Sequence, residues 1–534
     1  MPIIYRPQAF SSRTFLGLTT LVAVIGAWFG FTNPILHLPL LIFLFPMALA
    51  FTAYTSVSHA QAGKRGWIIG MAVSTSCLYW VIIPVHQYGH IPLMLALPCP
   101  FLLGSFLGLY ASVYTLALFH LRSRLAWPLL GLFSGTLWAS LEILQGWLLT
   151  GFPWLTLPSA LSIWPEAIQT VRYVGSYGLA GVMAMVALWG VQGFWKKQTM
   201  GGIILVLGLC ALPAVFPSPQ QHKGKPVRTI IVQGNIDQDH KWDPAFQHTT
   251  VNTYDRLSRL NARDNATDLI VWPETAMPFY FQEETAFRLQ IASLVRDKNI
   301  VLITGAPGYR LTAKTSPPDY KLYNRAFLVT PEGRCTTWYD KRHLVPFGEY
   351  VPFGNLIPMI KKIVVGTTDF SPGQTSTPLR YKSLALGTLI CYEAIFPDLA
   401  QEDVNNGATI LVNISNDTWF GRSSAPAQHL NISVLRAAEQ NRYLIRSTNT
   451  GISAFIDNYG HILNTSLLFK EQALLWDTVY PMTETTFYHR HYTVIHCGFP
   501  IIALLIGLPA WFRRNKQAIF TGTQTADQST AFFT

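Results

Sequence analysis

Three short apolar runs in this sequence stop at a residue able to do chemistry. Gly387-Thr-Leu-Ile-Cys391-Tyr392-Glu393 ends at a thiol beside a carboxylate. Asp268-Leu-Ile-Val-Trp-Pro-Glu274 ends at another carboxylate, and Trp338-Tyr-Asp-Lys341 ends at a lysine that is followed by Glu349. A thiol that attacks a carbonyl needs a base to take its proton and donors to hold the oxyanion it creates. Cys391, Glu274 and Lys341 supply a complementary set. Singly, each has a plainer reading: a small buried hydrophobe, a solvated strand-end acid and a surface ion pair. Three strand ends thus carry three complementary groups. Cys335, in Pro-Glu-Gly-Arg-Cys-Thr-Thr, has no local acid–base pair and reads as structural.

The elements that must position these groups form a soluble region from about Val227 to Arg490. Hydrophobic alternation predicts strands at 229–235, 269–272, 300–305, 324–330, 335–339, 384–390, 409–413 and 443–447. Helices fit 245–263, 283–298 and 425–441, and a turn at 394–403, interrupted by Pro397, feeds a further helix. Alternating strands and helices of this kind predict a layered α/β domain.

Before this region the chain is of another kind. Half of its residues overall are hydrophobic, and long uncharged runs fill the first 216 residues. Spans are expected at about 14–32, 34–54, 67–86, 91–119, 127–149, 174–195 and 200–216, with an eighth at 493–512, from the length a bilayer demands. The first run follows Arg6 and Arg13 without a small-residue cleavage pattern, so it reads as a retained span, not a signal peptide. Lys and Arg concentrate in alternate short loops (Arg6 and Arg13; Lys64 and Arg65; Arg122 and Arg124; Lys196 and Lys197), and Arg513, Arg514 and Lys516 follow the last run. Cytoplasmic loops retain such charges, so the α/β domain is expected outside the membrane. The domain plan is a seven-span region at 1–216, a linker at 217–226, the α/β domain at 227–490, a final span at 491–512 and a tail at 513–534.

The net charge of +11, from 39 Lys plus Arg against 28 acids, raises nucleic acid as a partner. The basic residues lie in loops and form no stripe with interleaved aromatics, so nucleic acid is not expected. Six cysteines and fourteen histidines show neither a disulfide framework nor metal-ligand spacing, so no cofactor is expected.

The order Glu274, Lys341, Cys391, in the settings WPE, YDKxHLVPFGE and ICYE, resembles the Glu-Lys-Cys triad of the nitrilase superfamily. The resemblance implies a four-layer α-β-β-α sandwich. Combined with seven spans before the domain and one after it, the chain resembles the apolipoprotein N-acyltransferase family over nearly its whole length. Trp138-x-x-x-Glu142 with Gly146-Trp147, Thr150-Gly-Phe-Pro-Trp154, Val232-Gln-Gly-Asn-Ile236 leading to Lys241-Trp242, and Asn413-Ile-Ser-Asn-Asp-Thr-Trp-Phe-Gly421 carry it further. One departure is the absence of the arginine common in the family near Gln145.

That resemblance implies transfer of an acyl chain from a phospholipid, usually phosphatidylethanolamine, to the α-amine of a diacylglyceryl-cysteine at a lipoprotein N-terminus, by a monomer in the bacterial inner membrane whose catalytic domain faces the periplasm. It implies that Glu274 is the base, that Lys341 with the Tyr392 N–H holds the oxyanion, and that Glu349 supports the lysine and the nucleophile. Tyr392 and Glu393 match positions that shape the site, and Trp242 and Asn324 match substrate-side positions. Glu142, an acid within a predicted span, is expected to take a structural or head-group role. The apolar and basic segment 351–365 is expected to form a lid open to lipid. Two alternatives remain at this point: a tethered amidase acting on a small carbon–nitrogen substrate, and a transporter with an inactive outer domain.

Overall fold

The computed structural model describes residues 12–193, 198–215, 225–263, 267–313, 319–350 and 370–512. The lid segment 351–365, the tail 513–534 and most of the linker 217–226 lie outside these residues.

Twelve strands occur among the described residues. The first five are β1 (Val227–Gln233), β2 (Leu269–Val271), β3 (Val301–Ala313), β4 (Asp319–Val329) and β5 (Cys335–Asp340). Next come β6 (Leu379–Tyr381), β7 (Leu384–Ile390), β8 (Ile410–Ser415) and β9 (Leu444–Thr448). The last are β10 (Ala454–Ile456), β11 (Ile462–Thr465) and β12 (Gln472–Val479). They form two six-stranded sheets, in the orders β12-β1-β2-β3-β4-β5 and β11-β10-β9-β8-β7-β6. The central strands β1, β2 and β3 run parallel, as do β7, β8 and β9, and the flanking strands are antiparallel.

Side-chain alternation builds the layers. Ile231, Val271 and Ile303 of one sheet meet Ile390, Val412 and Ile445 of the other in a shared core. Their neighbours Ile230, Ile270 and Leu302 point the other way, onto the helices Pro244–Asn261 and Ala286–Lys298. Each fully buried aliphatic side chain of this kind stabilises the fold by about 1.5–3 kcal/mol. The helix starts follow their caps: Asp243 accepts from Ala245 N, and Thr285 accepts from Arg288 N, which moves the second helix start from the expected 283 to 286. Asn299 and Asn441 end two helices in the left-handed conformation, with φ of 53° and 54°.

All eight expected strands are present. Strands β6, β10, β11 and β12 were not anticipated. Three are short, and β12 exists because it pairs antiparallel with β1 at the sheet edge, a contact between distant segments.

Five helices among the described residues are long and apolar enough to cross a membrane: 13–30, 93–121, 127–145, 171–193 and 492–512. The expected third span is a bent pair, His59–Cys77 with Tyr79–Tyr88, turned by 58°. The expected second span is a 3-10 turn, Pro39–Phe43, running into the helix Leu44–Thr55. Gln198–Val215 occupies the expected seventh.

The helices covering the outer face of the second sheet, Pro397–Asn405 and Ala425–Gln440, belong to the same apolar cluster as the membrane-region helices. Polar side chains fasten this junction. Gln428 Oε1 accepts the indole N–H groups of Trp80 (3.1 Å) and Trp154 (2.9 Å). Arg172 donates to Asn458 O and Asn441 Oδ1 at 2.8 Å each.

Candidate active site

The candidate groups stand on strand ends, where Cys391, Glu274 and Lys341 are all buried. Cys391 follows β7 directly and has φ of 53°, the left-handed region that a non-glycine residue enters only when its surroundings hold it, at a cost of about 1–3 kcal/mol. Glu393 does much of the holding. Its carboxylate accepts from Ile390 N (2.7 Å) on one side of the turn, and from Arg342 N (2.7 Å) and His343 N (3.0 Å) on the loop after Lys341. Tyr339 donates its hydroxyl to the same carboxylate at 3.0 Å. Glu393 thus welds the cysteine turn to the lysine loop.

Glu274 leaves β2 through Pro273 and rests against Gly305 of β3. A Cβ at position 305 would lie 2.5 Å from Thr275 N and 2.7 Å from Glu274 Cα, so this approach requires glycine. Lys341 follows β5, and its backbone N donates to Asn324 O at 2.8 Å. Its ammonium, only 1% exposed, lies 3.0 Å from Glu349 Oε1 and 3.5 Å from Glu274 Oε1. Asn324 Nδ2 donates to the same two oxygens, at 2.7 Å to Glu274 and 2.9 Å to Glu349. Glu349 Oε2 accepts from Val345 N at 2.9 Å. Two carboxylates, one ammonium and one amide therefore share a small buried volume, and Glu274 Oε2 has no hydrogen-bond partner among the described residues.

Charge follows from this packing. Burial alone would depress the Lys341 ammonium, but the Glu349 and Glu274 carboxylates outweigh it and hold its pKa well above the usual range. The Cys391 thiol is pushed up to about 12, first by burial and then by the Glu274 carboxylate, with Lys341 acting in the opposite sense. The arrangement is a thiol held up in pKa beside a buried lysine held as a cation.

The structure brings together Glu274, Lys341, Cys391, Asn324, Glu349 and Glu393. Tyr392 flanks them and reaches out of the domain: its hydroxyl donates to Gly151 O at 2.9 Å, within the loop that follows the 127–145 helix. Trp242 is 46% exposed beside Lys241. Glu142 stands apart on the 127–145 helix, accepting from Trp138 Nε1 (2.9 Å) and Leu157 N (3.3 Å). With Tyr110, Tyr114 and Gln145 it lines a cavity of about 60 Å³.

The contacts of two quoted motifs were not foreseen in the sequence reading. Lys241 is fully buried, and its ammonium donates to Glu274 O at 3.4 Å; burial pushes its pKa down to about 8, against the pull of Glu274. Behind Cys391 lies a closed polar network of Asn413, Ser415, Asp417, His429 and Arg446. The available signal was polar residues at interior positions of otherwise apolar runs, as in Ile410-Leu-Val-Asn-Ile-Ser415.

Comparison with known proteins agrees with this architecture. Residues 229–479 match the Carbon-nitrogen hydrolase family, and residues 23–189 match the Apolipoprotein N-acyltransferase N-terminal domain. A protein of Geobacter metallireducens named apolipoprotein N-acyltransferase is 37% identical over 85% of this chain and 88% of its own. Relatives of the same name from Pseudomonas syringae pv. tomato (32% identical, over 83% of this chain and 87% of theirs) and Nitrosomonas europaea (33%, 78% and 82%) extend the match. A nitrilase-like α/β domain joined to an apolar helical region, with similarity of this extent over both, makes the chain a member of the apolipoprotein N-acyltransferase family.

Proposed function

We propose that this chain N-acylates lipoproteins by moving an acyl chain from the sn-1 position of phosphatidylethanolamine through a Cys391 thioester to the α-amine of an N-terminal diacylglyceryl-cysteine. The observation that carries the chemistry is the division of labour at Glu274: Oε1 is engaged by Asn324 and Lys341, while Oε2 is buried with no hydrogen-bond partner among the described residues. That oxygen takes the thiol proton as sulfur attacks the ester carbonyl, because a thiol pushed up to about 12 does not ionise unaided near neutrality. Lys341, with the Tyr392 N–H, stabilises the tetrahedral oxyanion. The C–O bond of the ester then breaks, the proton passes from Glu274 to the departing lysophospholipid oxygen, and the acyl group remains on sulfur. In the second half, Glu274 accepts a proton from the attacking amine, the C–S bond breaks and the thiol is restored.

Glu349 and Asn324 keep Lys341 and Glu274 in register in this reading, and Glu393 and Tyr392 fix the turn and its junction with the membrane loop. Trp242 lines the donor or acceptor path, and Glu142 serves the membrane-side cavity. The apolar helices together make eight spans, seven before the domain at 227–490 and one after it. The basic loops stay cytoplasmic, so the domain lies in the periplasm, and the enzyme acts as a monomer. An amidase acting on small carbon–nitrogen substrates has less support, because residues 23–189 match the N-terminal domain of the acyltransferases.

Intact-mass analysis of the purified chain after incubation with phosphatidylethanolamine tests the reading. A hydroxylamine-labile gain of one acyl chain is expected in the wild type and not in Cys391→Ser, with a strong reduction in Glu274→Gln. A folded, lipid-bound wild type that gains no acyl chain would refute it.

A further inference from the structure

The network behind Cys391 is closed, buried and specific in its donors. His429 is fully buried, its Nε2 lies 3.1 Å from the Cys391 carbonyl oxygen, and Asn413 Nδ2 approaches the same oxygen at 3.4 Å. A carbonyl oxygen only accepts, so Nε2 carries the proton. Burial, followed by the Arg446 charge, pushes the pKa of the ring down against the pull of Asp417. Nδ1 faces Arg446 Nη2 at 3.0 Å and Asp417 Oδ1 at 3.2 Å, so both ring nitrogens are held. Arg446 also pairs with Asp417 Oδ2 at 2.7 Å and donates to Asn413. Asp417 Oδ1 accepts from Ser415 Oγ at 2.7 Å. Each member thus sets the orientation of the next, and the chain of bonds ends on the Cys391 carbonyl through His429 and Asn413.

The other face of His429 meets the membrane region. Its ring lies 5.3 Å from that of Trp154, whose indole N–H is held by Gln428. Trp80, on the bent pair of helices, donates to the same Gln428 oxygen, and Gln428 is one residue before His429 on the helix Ala425–Gln440.

We propose that His429 is a positioning residue for the nucleophile: its Nε2–H holds the Cys391 carbonyl in the left-handed turn and, through Trp154, ties that turn to the membrane-side loop. This rests on the thioester reading above. The oxyanion position is set by the Tyr392 N–H, which belongs to the same peptide unit as the Cys391 carbonyl. A bond to that carbonyl therefore orients the donor as well as the sulfur. Removing it tilts the peptide while leaving the lipid-facing surface intact, so the effect falls on turnover and not on donor binding.

The test compares the full-length wild type with His429→Phe, which keeps the ring and loses the donor, and His429→Gln, which keeps an N–H donor on a shorter planar group. Acyl-enzyme formation from phosphatidylethanolamine in mixed micelles is followed by intact mass, with rate and half-saturating lipid concentration measured separately and normalised to folded protein. His429→Phe is expected to lower the rate about 100-fold, the effect of an error near 1 Å in placement, with half-saturation unchanged. His429→Gln is expected to recover most of the loss. Phe and wild type forming the adduct equally fast would overturn the inference alone, as would Gln failing as completely as Phe while folded. No adduct in any protein, wild type included, would overturn the thioester reading and this inference with it.

Discussion

Replacing Glu393 by Gln removes one acceptor oxygen from a site where two are in use. In the wild type, Oε1 takes the N–H groups of Arg342 and His343, and Oε2 takes that of Ile390. An amide that keeps its oxygen towards the lysine loop turns its NH2 group on the Ile390 N–H, and two buried donors then face each other. A buried donor left without an acceptor costs about 1–3 kcal/mol. Lost attraction to Arg342 adds to this, but Glu393 carries its charge unwillingly: burial raises its pKa, against Arg342 and the backbone donors. Relief of that charge offsets part of the cost, leaving a net loss of about 2 kcal/mol, or about 4–8 °C in Tm for a domain of this size. The activity effect is larger than the stability effect. Ile390 is the residue before Cys391, so the broken bond is the one that fixes the entry to the turn, and a shift near 1 Å there lowers the acylation rate about 100-fold. Tm is read from tryptophan fluorescence, and acyl-enzyme formation from intact mass per folded molecule. A Glu393→Gln protein with wild-type Tm and wild-type acylation rate would refute the claim that this carboxylate welds the two loops.

Three further outcomes are expected. In Glu274→Gln, the thiol loses a carboxylate that raises its pKa, so iodoacetamide modification of the Cys391 peptide at about pH 9 rises while acylation by phospholipid falls about 100-fold or more; both rates falling together would contradict the assigned charges. Gly305→Ala forces a Cβ against Glu274 Cα and Thr275 N and is expected to cost about 1–3 kcal/mol with loss of acylation, measured by thermal unfolding and the same mass assay; a fully active variant would show that the base does not need this approach. His461 bonds Asp457 (2.9 Å) and approaches Glu166 (3.4 Å), and these raise its pKa above 6.5, the Asp457 bond most. A raised folded pKa means stabilisation that is complete below the unfolded value and lost as pH rises through the folded one. On a ring this exposed it amounts to less than about 1 kcal/mol. His461→Gln should flatten Tm against pH in that window, and an unchanged slope would refute the coupling.

Much of the site was legible because it is built from local punctuation. An apolar run that stops at Cys391, Glu274 or Lys341 announces both the strand and the group it presents, and the neighbours WPE, HLVPFGE and ICYE narrow the chemistry further. The apolar segments of the first 216 residues were legible for the same reason, since hydropathy is a property of a contiguous window. The 58° bend of the third segment was not, because it depends on how Tyr79–Tyr88 packs over the α/β domain, with Trp80 against Phe420 and Tyr88 against Trp419.

The family resemblance marks Asn324 only as a substrate-side position; only pairing of β4 beside β5, with the 273–275 turn folded over β3, sets its amide between Glu274 and Glu349. His429, Arg446 and Asp417 likewise carry no mark of a shared purpose until the helix Ala425–Gln440 is laid across β8 and β9. The sequence by itself determined which groups can react and which strand ends carry them, because alternation, run length and chain termination of a strand are local properties. The tertiary structure alone decided which groups hold the reactive ones in place, because a hydrogen bond between residues far apart in the chain depends on register and layer contact, which no local pattern encodes.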